Sequence, residues 1–234
     1  MSLTPAQAKQ AGANVALVGG NEFRRECDPM DRVLVQRLGG PAAQLAILPT
    51  AATNENPYVA GENGARHFRR LGARAEKIMI VDEASANDAG LVGLLEDNAG
   101  LYFTGGDPIY LRDTLHGSKT WEAVKDVAAR GGLIAGSSAG AMVLGERLWR
   151  FDGWIDGLGL APGLAVLPHH ATLAARWNAL AMAEALPAGV TLVGIDEATA
   201  LLLPEMLVVG VGQVTVYGSG EPRAFEPGAT VTLG

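Results

Sequence analysis

Short apolar runs recur along the chain, each closed by glycine, proline or polar turn residues and followed by a stretch with helical spacing. Val15-Ala16-Leu17-Val18 ends at Gly19-Gly20, and Leu45-Ala46-Ile47-Leu48 ends at Pro49-Thr50. Lys77 to Val81, Leu101 to Phe103 and Leu133 to Ala135 follow. Apolar runs this short, bounded by turn formers, predict buried strands. Between them, Asp28 to Arg37 predicts a helix, with Asp28 as a cap and Pro29 in the first turn. Tyr58 to Leu71 predicts a second helix, stopped by Gly72. Asn87 to Asp97 predicts a third, with Leu91, Leu94 and Leu95 on one face. Strands that alternate with helices predict a mainly parallel sheet covered on both faces.

After Leu160 the pattern changes. Leu164 to Leu167 predicts a strand running into Pro168-His169-His170, and Thr172 to Leu186 a helix closed by Pro187. Val190 to Ile195 predicts a strand leading to Asp196-Glu197. From Ala200 to Leu233 several short strands are expected, with turns at Gly210-Val211-Gly212 and Gly218-Ser219-Gly220. This tail reads as an antiparallel extension of one sheet edge. There is no internal repeat or long linker, so residues 1–234 are expected to form one α/β domain.

The stretch that organises this pattern is Gly131 to Met142. The apolar run Leu133 to Ala135 leads into Gly136-Ser137-Ser138-Ala139-Gly140, which fits G-x-S-x-G, and Ala139 to Glu146 can begin a helix. A strand, a sharp turn and a helix are the setting in which such a serine becomes an exposed nucleophile. Bulky side chains two residues before and after it would collide in so tight a turn. Ser138 is the candidate nucleophile; Ser137 occupies the variable position and is the weaker one. Ligands of parallel sheets bind beyond the carboxyl ends of the strands. Gly19-Gly20, Thr50, Gly105-Gly106 and Ser138 all follow predicted strands, so they are expected on one rim.

Composition narrows the function classes. A net charge of -7 with an isoelectric point near 5.1 argues against nucleic acid or an anionic membrane as the main partner. The single cysteine, Cys27, excludes an internal disulfide framework and a cysteine zinc cluster. Met1 to Asn14 lacks the features of a leader peptide, and no apolar run is long enough to span a bilayer. A cytoplasmic protein is the expectation. Neither a dinucleotide fingerprint nor a phosphate-binding loop is present, so no cofactor and no metal are expected.

A serine needs a base. Of the four histidines, His67 lies among Arg66, Arg69 and Arg70 on a helix expected to be exposed, and His116 ends a helix beside Gly117. His169 and His170 follow a strand at the expected rim, and they are the candidates. The base needs a carboxylate to orient it; the order of preference is Glu197, Asp196, Asp152. Oxyanion donors are expected from the Ala139 amide and from the turn Thr104-Gly105-Gly106-Asp107, with Gly106 as its candidate.

With these pieces assembled, the chain resembles the dipeptidase E and cyanophycinase family of serine peptidases, whose fold is related to class I glutamine amidotransferases and is flavodoxin-like. The resemblance runs through Ile47-Leu48-Pro49-Thr50-Ala51, Phe103-Thr104-Gly105-Gly106-Asp107, Gly136 to Ala141, Leu160-Ala161-Pro162-Gly163, Pro168-His169 and Ile195 to Ala200. It implies Ser138 as nucleophile, His169 rather than His170 as base, Glu197 as the acidic member, and Gly106 and Ala139 as oxyanion amides. It also implies metal-independent hydrolysis of an amide bond next to an aspartyl residue: an amino-terminal aspartyl bond in dipeptidase E, a polyaspartate backbone carrying arginine in cyanophycinase. Two departures stand out. Pro108 occupies the place of a glutamine in cyanophycinases, and Arg176 is the one arginine close behind the histidine where they carry several. A guanidinium is a natural carboxylate clamp, so Arg176 is the candidate specificity residue, although it reads equally well as a surface residue. Asp107 and His170 are the other candidate substrate contacts. A short acidic peptide is the expected substrate, and a homodimer is compatible with the glycine-rich edges. The rivals are a non-catalytic amidotransferase-like binding module and an esterase. A glutaminase of that fold would need a cysteine nucleophile, and Cys27 stands in the wrong context.

Overall fold

The computed structural model describes residues 13–233. The first twelve residues, most of the stretch read above as lacking leader features, lie outside the described residues. The chain begins with β1 (Val15–Val18), α1 (Asp28–Arg37), β2 (Gln44–Leu48), α2 (Pro57–Arg70) and β3 (Arg74–Lys77). Two short helices, α3 (Glu83–Ala86) and α4 (Ala89–Gly93), precede β4 (Gly100–Phe103). Then come α5 (Pro108–Leu115), α6 (Lys119–Ala129), β5 (Leu133–Ser137) and α7 (Ala139–Leu144). The second half holds β6 (Gly145–Arg150), β7 (Gly153–Asp156), β8 (Ala161–Leu167), α8 (His170–Leu173) and α9 (Ala179–Glu184). It closes with β9 (Thr191–Ile195), β10 (Thr199–Leu203), β11 (Leu207–Gly210), β12 (Val214–Tyr217) and β13 (Arg223–Phe225).

Two sheets result. The larger has seven strands in the order β11-β10-β1-β5-β4-β2-β3. Its five strands from β1 to β3 are parallel, and β10 and β11 are added antiparallel at the edge beyond β1. The expected α/β class with an antiparallel extension therefore stands. The second sheet is new: six strands in the order β13-β12-β9-β8-β6-β7. The strands at Leu164 and Val190 belong to it, not to the larger sheet, and so do β12 and β13 of the tail. The β6–β7 hairpin begins at Gly145, within the segment Ala139 to Glu146 expected to begin a helix; Trp149 and Trp154 meet edge to face across it, with ring centroids 5.1 Å apart.

Alternation along β1 explains the layering. Val15 and Leu17 point into a large cluster that also takes Ile134, Val166, Val193, Ile195 and Val214, and so joins both sheets. Ala16 and Val18 point the other way, toward Met30 and Leu34 of α1 and Phe68 of α2. Helix α7 lies within the first cluster, and all six of its residues are buried.

Three expectations shift for local reasons. The run Lys77 to Val81 leaves the ladder early: the Ile78 amide still reaches the Ile47 carbonyl, but the Ile80 amide bonds back to Ile78. The helix expected over Asn87–Asp97 shrinks to the five residues of α4, which include Gly90 and Gly93. The helix expected over Thr172–Leu186 is broken at Asn178, which takes the left-handed conformation and caps α9.

His67 corrects the expectation of an exposed histidine. It is 4% exposed and Asp31 is fully buried; His67 Nε2 lies 2.8 Å from Asp31 Oδ2. Arg66, Arg69 and Arg70 occupy the outer face of α2, while His67 shares the inner face with Gly64 and Phe68. Burial pushes the Asp31 carboxyl up, and the His67 bond opposes that rise. Removing His67 leaves this carboxyl buried without its partner, so His67→Ala should cost about 3–5 kcal/mol of stability. An acid raised on folding contributes stability that is full below its unfolded value and lost as pH rises through its folded value. Chemical denaturation from acid upward should therefore find a growing deficit in His67→Ala, and a deficit that shrinks with rising pH would contradict this reading. Cys27 lies on the same face of the sheet, and burial pushes its thiol up to about 12. It should resist alkylation at pH 8 in the folded protein and take up one equivalent of iodoacetamide after unfolding, as read by mass spectrometry.

Candidate active site

The end of β1 gathers the site. The Val18 carbonyl accepts the Ser138 amide at 2.9 Å, the Gly19 carbonyl accepts the His169 amide at 2.7 Å, and the Gly20 carbonyl accepts the Ala198 amide at 3.1 Å. Segments that follow β5 and β8, and the one that precedes β10, are thus fixed to three successive peptide groups. No side chain fits beneath them. A Cβ on Gly19 would stand 2.0 Å from the Asp196 carbonyl oxygen, and one on Gly20 would stand 2.3 Å from Cε1 of the His169 ring.

Ser138 sits between β5 and α7 at φ 49 and ψ -108, a strained conformation for a residue with a side chain. The turn closes because a Cβ on Gly136 would lie 2.4 Å from the Gly140 carbonyl carbon, and one on Gly140 would lie 2.6 Å from the Phe103 carbonyl oxygen. The hydroxyl of Ser138 makes no capping bond to α7. It lies instead 3.1 Å from His169 Nε2, and His169 Nδ1 lies 2.7 Å from Glu197 Oε1. With its proton on Nδ1, the imidazole donates to Glu197 and leaves Nε2 to accept from the serine. The His169 and Glu197 side chains are 27% and 36% exposed, so water and substrate reach them. The arrangement can move a proton off an alcohol and hold the resulting imidazolium beside a carboxylate.

The two glycines after β4 divide their tasks. The Gly105 amide donates to Glu22 Oε1 at 2.8 Å. Gly106, at φ 139, has its Cα pressed so close to the Ala51 carbonyl that a Cβ would come within 2.1 Å of the oxygen. Its own amide has no acceptor among the described residues. Ala139 is the first residue of α7, so its amide is one of the donors that a helix leaves unpaired.

The remaining candidates are placed as follows. Asp107 caps α5, accepting the Ile109 amide at 2.9 Å and the Tyr110 amide at 3.0 Å, so its carboxylate is committed to the fold. Both nitrogens of His170 are engaged, Nδ1 by Asp196 at 3.3 Å and Nε2 by the Tyr217 hydroxyl at 2.7 Å. His170 is thereby a bracket onto the second sheet, not a side chain free to meet substrate. Asp196 also accepts the Gln213 amide at 2.9 Å, and Asp152 pairs with Arg150 on the β6–β7 turn. Neither competes with Glu197 for His169. Arg176 is exposed between α8 and α9 and makes no ion pair among the described residues.

One participant escaped the sequence reading. Glu22 accepts the Ser137 hydroxyl at 2.8 Å in addition to the Gly105 amide, so it ties the serine turn to the glycine turn. Its signal was available: it follows a glycine pair at the end of a strand, on the rim where ligands were expected. The bond also accounts for Ser137 at the variable position of G-x-S-x-G. Asn21 and Phe23, on either side of Glu22, have φ of 57 and 68, so this loop is strained as well.

Comparison with known proteins identifies the family. The profile of peptidase family S51 matches residues 15–208. The cyanophycinase of Trichormus variabilis is 28% identical over 234 residues, covering 93% of this chain and 76% of its own. The cyanophycinase of Synechococcus elongatus is 28% identical over 227 residues, covering 89% of this chain and 68% of its own. The crystal structure of a peptidase from an acI-B1 Actinobacterium aligns with a TM-score of 0.83 at 28% identity, over 94% of this chain and 97% of that one. A Listeria monocytogenes EGD-e protein named as a candidate peptidase E aligns with a TM-score of 0.60 at 18% identity, over 92% and 98% of the two chains, and supports the fold alone. The family profile spans the glycine seat, the serine turn, His169 and Glu197, and the chain belongs to peptidase family S51, as a serine-type peptidase.

Proposed function

We propose that this peptidase hydrolyses short peptides at a bond next to an acidic, aspartyl residue, through Ser138, His169 and Glu197 and an acyl-enzyme. The observation that carries the reading is the unbroken chain from Ser138 Oγ to His169 Nε2 at 3.1 Å and from His169 Nδ1 to Glu197 at 2.7 Å. His169 takes the hydroxyl proton as Ser138 Oγ attacks the substrate carbonyl carbon. The Gly106 and Ala139 amides hold the negative oxygen of the tetrahedral intermediate. The intermediate collapses as the imidazolium gives its proton to the leaving amine. Water, deprotonated by the same imidazole, then attacks the acyl-enzyme and frees Ser138. Glu197 stays ionised throughout and fixes the tautomer.

A second reading, cyanophycinase-like cleavage of a branched aspartyl-arginine polymer, is favoured by the likeness to two cyanophycinases. The two readings share their chemistry and differ in substrate, so a panel of aspartyl dipeptides and the polymer separates them.

Ser138→Ala should lower turnover of the best substrate by about 10⁴-fold or more, and Glu197→Gln by about 10²–10⁴-fold. A fluorophosphonate should label the parent protein at Ser138 and leave Ser138→Ala unlabelled. A binding module without turnover would show no labelling. Gly20→Ala tests the seat of the histidine: the added methyl displaces the ring, and a misplacement of about 1 Å costs about a hundredfold in rate. The variant should keep its circular dichroism spectrum while kcat falls; unchanged kcat would mean the ring has another stable place.

A further inference from the structure

A groove of about 440 Å³ opens beside the catalytic rim, with Glu22 as the wall it shares with the serine turn. Phe23 forms its floor, packed against Phe68 and Tyr102 with ring centroids 6.2 and 5.3 Å away. Its other walls are basic. Arg24 and Arg25 come from the loop after β1, and Arg66 and Arg70 from the outer face of α2. Arg70 is committed to Asp28, which it grips with Nη1 and Nη2 of its guanidinium. Arg24, Arg25 and Arg66 are exposed and make no ion pair among the described residues. Glu22, the one acid lining the groove, already shares its charge with the Gly105 amide and the Ser137 hydroxyl.

This concentration is unusual for the chain. The protein carries 25 acidic residues against 18 basic ones. Several basic side chains elsewhere are paired, as Arg37 is with Glu205, Lys77 with Glu62 and Arg150 with Asp152. Three unmatched guanidinia around one concave space, on an acidic protein, form a local positive potential aimed at a negative ligand. The fork of donors on each arginine suits carboxylates. By contrast, Arg176 is outside this groove.

We propose that Arg24, Arg25 and Arg66 form the carboxylate-binding subsite of this peptidase, so that selection for acidic peptides resides in the β1–α1 loop and α2 and not at Arg176. The proposal rests on the peptidase reading above for its meaning, but it is tested by binding alone. Phe23 fixes the floor, the left-handed residues Asn21 and Phe23 hold the loop in shape, and Glu22 joins the subsite to the nucleophile turn. A peptide seated in the groove then enters the rim with its acidic side chain already paired.

The test uses Ser138→Ala protein, which binds without turning over. Triaspartate and triasparagine peptides are titrated by calorimetry into this protein, into the same protein carrying Arg24→Ala, Arg25→Ala and Arg66→Ala, and into the same protein carrying Arg176→Ala. Triaspartate should bind at least about tenfold more tightly than triasparagine, as expected for charge-assisted bonds. That preference should vanish in the triple variant, survive Arg176→Ala, and weaken as salt is raised. Circular dichroism melts show whether each variant is folded, and single Arg66→Gln protein serves if the triple variant is not. Equal affinity for the two peptides, retention of the preference without the three arginines, or its loss in Arg176→Ala overturns the proposal. Failure of the peptidase reading would instead appear as an unlabelled Ser138 in the parent protein, which these titrations do not touch.

Discussion

Everything at the rim depends on the carbonyl groups of Val18, Gly19 and Gly20. A parallel strand ends with carbonyls that its neighbours no longer satisfy, and buried carbonyls must find donors. Here three consecutive ones find the amides of Ser138, His169 and Ala198. One strand end therefore sets the relative positions of an alcohol, an imidazole and the carboxylate of Glu197 next to Ala198. The geometry is available only because residues 19 and 20 have no Cβ. A methyl at either would take space now held by the Asp196 carbonyl or by the imidazole itself.

The cost of this arrangement is visible in the backbone. Ser138, His169 and Ala198 have φ of 49, 49 and 51, and Asn21 and Phe23 in the adjoining loop add 57 and 68. These five are the greater part of the eight left-handed residues other than glycine among the described residues. Each such residue costs about 1–3 kcal/mol and persists only where its surroundings leave no alternative. Around Ser138 those surroundings are the fully buried α7 and the contact of Gly140 with Phe103. Around Phe23 they are the rings of His67, Phe68 and Tyr102. The buried Asp31–His67 pair lies under the same ring, so a pair with no part in the chemistry helps to hold the loop that carries Glu22.

Much of this was legible beforehand, and the divide has physical causes. Strands β1, β2, β4 and β5 are buried on both faces, so they read as unbroken apolar runs ending in turn residues. The rim followed from topology alone, because strand ends of a parallel sheet face one way. The G-x-S-x-G spacing disclosed the serine turn, since only small residues allow Gly136 to touch Gly140. What stayed hidden depended on long-range pairing. Leu164 to Leu167 has the same apolar signature whether it joins the first sheet or a second. His67 looked exposed because its neighbours in sequence are arginines, although its neighbours one helical turn away are not. Glu22 gave only a position, with no spacing to match, because its partners, Gly105 and Ser137, lie about a hundred residues away along the chain.

The second sheet has a consequence for the chemistry. Strand β8 delivers His169, and β9 delivers Asp196 and Glu197 before the chain crosses to β10 and returns to the first sheet. Ser138 belongs to one sheet, and His169 to the other. Their 3.1 Å separation is therefore set by how the sheets pack, through a cluster to which Leu17 and Ile134 contribute from one side and Val166, Val193 and Ile195 from the other. Packed interiors transmit small displacements because they have little free volume in which to absorb them. The Gly19-Gly20 seat is where the two sheets are locked together at the rim, since its carbonyls reach both. Core packing and the Ser138–His169 geometry are in this fold a single constraint, and the glycine pair is the place where it is enforced.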